Sequence, residues 1–186
     1  MLPSCRSTVH SEAELLKELA GNDAMYGSKI IGDIKIEFKY IPSEVFAYRA
    51  LEKDSAIRVD SVLAKHAESL TFVMVLKGIN NLEGVDMIRH NIDGKQAYKD
   101  RIQYLNFGIT DAFELDAEGV IQKPLLMSFE NTYGLSKNMV FNIIFKKPKA
   151  KQFTIAYQDN LFATGKSKFN FNTKELIQIP NCEYTK

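Results

Sequence analysis

Residues able to carry chemistry are scattered along this 186-residue chain and gather in no single motif. The nearest approach to a phosphate-binding loop is Asn160-Leu161-Phe162-Ala163-Thr164-Gly165-Lys166-Ser167. Its end, Gly-Lys-Ser, is the tripeptide that cradles nucleotide phosphates, but the motif needs glycine where Asn160 stands. It also needs a helix next, because the phosphates sit at a helix N-terminus. Residues 166–172 alternate as a strand instead, so nucleotide binding is not expected. The histidines, His10, His66 and His90, show no metal-ligand spacing and are expected at the surface or at helix ends. No nucleophile elbow occurs. A triad assembled in space from distant residues leaves no such local mark. Asp111, Glu114, Asp116 and Glu118 crowd one turn but lack the ligand order of a calcium loop. No catalytic residue, metal site or cofactor is expected from these patterns.

Charge is unevenly placed. Net charge is +1, which gives no global field toward nucleic acid. Yet residues 137–168 hold seven lysines (137, 146, 147, 149, 151, 166 and 168) and one acid, Asp159. Lys146, Lys147, Lys149, Lys151, Lys166 and Lys168 are a candidate basic patch suited to anionic lipid headgroups, an acidic partner or nucleic acid, provided the last strand lies beside the hairpin that carries the turn. The plainer reading is that turn lysines keep a hairpin soluble and discourage edge pairing. The turn has neither arginine nor interleaved aromatics, so nucleic acid is not an expected partner.

The composition, 45% hydrophobic and 25% charged, is that of a folded chain. No run approaches the roughly 18 apolar residues that read as a membrane span. The cysteines, Cys5 and Cys182, stand near opposite ends. Leu2-Pro3-Ser4-Cys5 resembles the lipobox of bacterial lipoproteins, with leucine three residues before the cysteine and a small residue directly before it. The resemblance covers four residues. It implies a lipidated Cys5, a membrane tether and a place in the bacterial cell envelope; the alternative is a cytoplasmic domain.

The elements that must position these residues follow from periodicity. Asn138–Gln158 reads as a long β-hairpin. Met139, Phe141, Ile143 and Phe145 share one strand face, Phe153, Ile155 and Tyr157 share another, and Lys146–Lys151 forms the turn. Ile34–Tyr40 alternates without exception, and Leu70–Leu76 is apolar on both faces. Ser11 and Glu14 form a capping box for a helix containing Leu15, Leu16 and Leu19. Residues 22–32 read as a loop. Further helices are expected after Pro42, after Asp60 as N-cap, over residues 82–90, and over residues 95–105. Residues 120–130 read as one strand interrupted at Pro124, and residues 131–134 as a turn.

The expected fold class is α+β, mainly antiparallel β, either sandwich-like or a single sheet covered by helices. Three to five short helices are expected, most of them in the first 110 residues. Residues 1–10 are expected to be a flexible segment and 11–186 one globular domain. The expected function is a non-enzymatic accessory or partner-binding domain with an unidentified protein partner. The alternative is a small-molecule or glycan-binding β-domain, or a hydrolase with a spatially assembled site.

Overall fold

The computed structural model describes residues 8–132, 135–176 and 179–184. Leu2-Pro3-Ser4-Cys5 and the Tyr133-Gly134 half of the expected turn lie outside the described residues. The chain opens with β1 (Thr8–Val9), α1 (Glu12–Ala20), β2 (Tyr26–Ile31), β3 (Ile34–Ile41), α2 (Ser43–Lys53), α3 (Val59–His66) and β4 (Ser69–Gly78). After α4 (Gly94–Gln103) come β5 (Phe113–Ala117), β6 (Val120–Gln122), β7 (Leu126–Phe129), β8 (Met139–Lys146), β9 (Gln152–Gln158) and β10 (Lys166–Asn172). A short α5 (Thr173–Leu176) and β11 (Asn181–Cys182) follow. The fold is α+β with mostly antiparallel sheets.

A five-stranded sheet, in the order β2-β3-β4-β8-β7, faces a four-stranded sheet ordered β10-β9-β5-β6. The strict alternation of β3 places Ile34, Ile36, Phe38 and Tyr40 inside. Phe72 and Met74 of β4 and Phe141 and Ile143 of β8 continue that inner face. Aromatic rings lock the two layers together. Phe38 lies 4.7 Å from Phe169, Phe72 lies 4.9 Å from Phe171, and Phe113 lies 6.3 Å from Phe141, ring centre to ring centre. Each such pair adds about 0.5–1.5 kcal/mol to the burial of its rings.

The expected hairpin is not one. Its two strands form as read, but β8 lies between β4 and β7 while β9 lies between β10 and β5. The Lys147–Lys151 segment is an arch that carries the chain from one sheet to the other. Phe141, Ile143 and Phe145 therefore join the core from one sheet, and Phe153, Ile155 and Tyr157 join it from the other. Residues 120–130 likewise split into β6 in one sheet and β7 in the other, with Pro124 in the crossing. Proline gives up no ladder hydrogen bond there.

Other expectations shift locally. Residues 26–31, read as loop, form edge strand β2. A two-residue Gly32-Asp33 turn pairs Ile31 with Ile34, and Gly32 takes φ +58°, where a side chain is disfavoured. Asp60 lies in the first turn of α3, whose N-cap position is Arg58. Residues 82–90 form turns after a short 3-10 segment, Asn80–Leu82, instead of a helix. α4 stops at Gln103 and passes into a π-helical turn, Tyr104–Gly108. The Ser11 cap holds: its Oγ accepts from the Glu14 backbone N–H at 3.2 Å. Thr8 and Val9, read as part of the flexible segment, pair in parallel with Asn181 and Cys182.

Candidate functional site

α2 divides its surface by helical period. Val45 and Tyr48 are buried, while Phe46, Arg49, Ala50 and Lys53 follow at i, i+3, i+4 and i+7 along another face. α3 buries no side chain fully and packs on α2. Arg58, Ser61, Val62, Lys65 and His66 repeat the same spacing on α3 and its N-cap. The two stripes meet as walls of a groove of about 650 Å³. Phe46, Ala50, Ile57 and Val62 supply apolar lining, and Arg49, Lys53, Arg58 and Lys65 supply four cations.

The groove is electrostatically one-sided. Asp54 is its acid, and one of its oxygens accepts from the Ala56 backbone N–H at 2.9 Å, which holds the α2–α3 turn. Arg49 is paired with Glu12 of α1 at 2.8 Å. Among the described residues, no carboxylate lies within 4.0 Å of the charged groups of Lys53, Arg58 or Lys65. His66 stacks on Phe46 with ring centres 4.4 Å apart and planes 13° apart. Burial, helped by the Lys65 charge, pushes the His66 pKa below its ordinary value. The arrangement offers a hydrophobic floor, unpaired cations and a neutral imidazole that an arriving anion would help to protonate.

The residues singled out from sequence are placed elsewhere. The Walker-like segment belongs to a closed loop in which the Asp159 N–H donates to the Gly165 carbonyl at 3.0 Å. Strand β10, not a helix, follows it. Asp159 is 4% exposed and organises the loop. Its carboxylate accepts from the Tyr157 hydroxyl, the backbone N–H groups of Leu161, Phe162 and Thr164, and the Thr164 hydroxyl. Burial and the neighbouring Asp159 carboxylate raise the Tyr157 pKa well above its ordinary value. Arg101 lies over the Phe162 ring at 5.5 Å and donates to the His90 carbonyl at 2.6 Å, tying α4 and the preceding turns to the loop.

Within the acidic turn, the Asp111 carbonyl and the Glu114 carboxylate both accept from Lys123, and Asp116 accepts from the Gly119 N–H. Hydrogen bonding and charge from Lys166, 3.0 Å away, hold Glu114 below the usual carboxylate range. No group of three or more His, Cys, Asp or Glu is arranged to hold a metal among the described residues. His10 meets Glu183 at 3.4 Å on the surface.

The lysines separate. Lys166 sits opposite Gln158 and Lys168 opposite Ala156, whereas Asn172 is the β10 residue beside Gln152 at the arch end. Lys146 instead pairs with Ser69, and the Lys147 N–H donates to the Glu68 carbonyl at 2.9 Å. Lys146–Lys151 thus adjoins the C-terminal end of α3, two residues from His66. The groove was missed in the sequence because it needs two helices side by side. Two successive helices whose stripes mix cations with apolar residues were the available signal.

No helix among the described residues is long and apolar enough to cross a membrane. Compared with protein-family models, curated proteins and solved structures, the chain matches none of them.

Proposed function

We propose that the chain is an accessory binding domain whose working site is the α2–α3 groove, and that its ligand is a small amphiphile with an anionic head and an apolar body. The observation that carries this reading is the pairing of an apolar floor (Phe46, Ala50, Ile57, Val62) with cations that have no carboxylate partner (Lys53, Arg58, Lys65). An alkyl body removes that floor from water at about 25 cal/mol per Å² of apolar surface, while the head meets the ammonium and guanidinium groups.

Decanoate is a suitable probe, with the imidazole of His66 as reporter. In proton-detected titrations, the free chain gives a His66 pKa below the ordinary histidine value. Saturating decanoate raises it, and binding tightens as pH falls through that range. Lys53→Glu with Arg58→Glu removes both effects. If decanoate binds but leaves His66 unmoved, or if the double variant binds as well as the native chain, the groove is not the site.

The lipobox-like Leu2-Pro3-Ser4-Cys5 supports an envelope location with a tether through Cys5. Expression in a bacterium with labelled palmitate tests it. Label that is absent, or that is unchanged by Cys5→Ala, refutes the tether.

A further inference from the structure

We infer that the end of the molecule formed by the β8–β9 arch and the α2–α3 groove docks on a bilayer surface rich in anionic lipid. The inference rests on the groove's reading as a seat for anionic amphiphiles and extends it to a surface. Lys146 at the end of β8 and Lys149 and Lys151 on the arch are exposed, and Lys147 is half-buried beside Glu68. Among the described residues, no carboxylate lies within 4.0 Å of these four ammonium groups either. Glu68 and Ser69 join the arch to α3, which carries Lys65 and His66 into the groove. Cations on the arch and cations around an apolar groove therefore share one end of the protein.

The chemistry favours a membrane over other polyanions. A bilayer interface presents a sheet of phosphates over hydrocarbon, and lysines beside a partly apolar surface match both layers. The arch holds no arginine and no aromatic residue, and in the groove Arg49 is paired with Glu12 and the Phe46 ring is already covered by His66, so bases find no open stacking platform at this end. The chain's own entry into the fold lies nearby. The Tyr48 hydroxyl of α2 donates to the Val9 carbonyl at 2.7 Å, and Glu12 pairs with the groove's Arg49. At the far end of the four-stranded sheet Lys166 is held by Glu114, whereas Asp116, Glu118 and Glu175, near Gln152 at the arch end, come within 4.0 Å of none of the arch lysines.

The test is sedimentation of the full, unlipidated chain with phosphatidylcholine vesicles, with and without phosphatidylglycerol. Binding should require phosphatidylglycerol and weaken as salt rises. Each lysine near such a surface is worth about fivefold in partitioning. Lys146→Ser, Lys147→Ser, Lys149→Ser and Lys151→Ser together should lower binding at least tenfold, with the melting temperature nearly unchanged. Lys168→Ser, on β10 away from the arch, should leave binding as it was. Binding that ignores phosphatidylglycerol, an arch variant that binds normally, or an equal loss from Lys168→Ser overturns the inference. Retention on single-stranded DNA without vesicle binding overturns it in favour of a nucleic-acid polyanion. The decanoate titration uses no vesicles, so failure of the groove and failure of the docking surface read out separately.

Discussion

Replacing Asp159 with alanine should be among the most damaging single changes outside the aromatic core. Five donors converge on this carboxylate, at 2.8 to 3.2 Å, and the residue is 4% exposed. Hydrogen bonds to a charged acceptor contribute about 1.5–3 kcal/mol each, but they are not additive. After truncation, the N–H groups of Leu161, Phe162 and Thr164 sit in half-buried residues and recover water. The Tyr157 hydroxyl does not, because its residue is fully buried. An orphaned buried donor costs about 1–3 kcal/mol, and Arg101 also loses the Asp159 charge that favours its charged form against burial. The net expectation is a loss of about 3–5 kcal/mol, on the order of 10 °C in melting temperature for a chain of this size. Urea unfolding followed by far-ultraviolet circular dichroism measures it. Amide exchange should show Leu161, Phe162 and Thr164 exposed before the strands. Asp159→Asn keeps one acceptor oxygen and should lose less, about 2 kcal/mol. A loss under about 1 kcal/mol for the alanine variant would show that the loop does not depend on the carboxylate.

Three further outcomes follow from particular contacts. At Gly27, an added Cβ would meet the Phe169 ring at 2.9 Å where β2 approaches β10, so Gly27→Ala should cost about 1–3 kcal/mol in chemical denaturation. Burial pulls the Glu37 carboxyl up, but its hydrogen bonds and ion pairs with Lys35 at 2.7 Å and Lys77 at 2.9 Å outweigh this and hold it below the ordinary value. Its stabilisation is therefore present above the unfolded carboxyl pKa and is lost as pH falls through the folded one. Melting curves below about pH 4 should show it, and Glu37→Gln should flatten that decline by about 0.5–1 kcal/mol, since the three charged groups keep partial contact with solvent on the outer face of the sheet. Val75 and Val140 face each other on the outer side of the five-stranded sheet. The Val140 carbonyl accepts from Glu130 on the opposite side, which makes this the closer, non-hydrogen-bonded kind of pair. With Cys5 and Cys182 replaced by serine, Val75→Cys with Val140→Cys should cross-link on oxidation; failure to do so would contradict the placement of β8 beside β4.

The sequence by itself determined which side chains turn inward. The period of two in Ile34–Tyr40 and Met139–Phe145 marks the buried set, because successive side chains on a strand must point to opposite faces. The Ser11 cap was equally readable, since a cap is a contact between residues three apart. What an inward face meets is not a local property. Two apolar strands joined by a short turn satisfy the same alternation whether they pair edge to edge or face each other across a core. Packing of Phe38, Phe72 and Phe141 against Phe113, Phe169 and Phe171 is what fits β8 and β9 into different sheets. That crossing in turn decided the fate of the lysines. It set Lys146–Lys151 against the end of α3 and left Lys166 with Glu114. The groove belongs to the tertiary structure for the same reason. Each helix carries half of it in plain sequence, and only their contact makes an apolar floor ringed by cations.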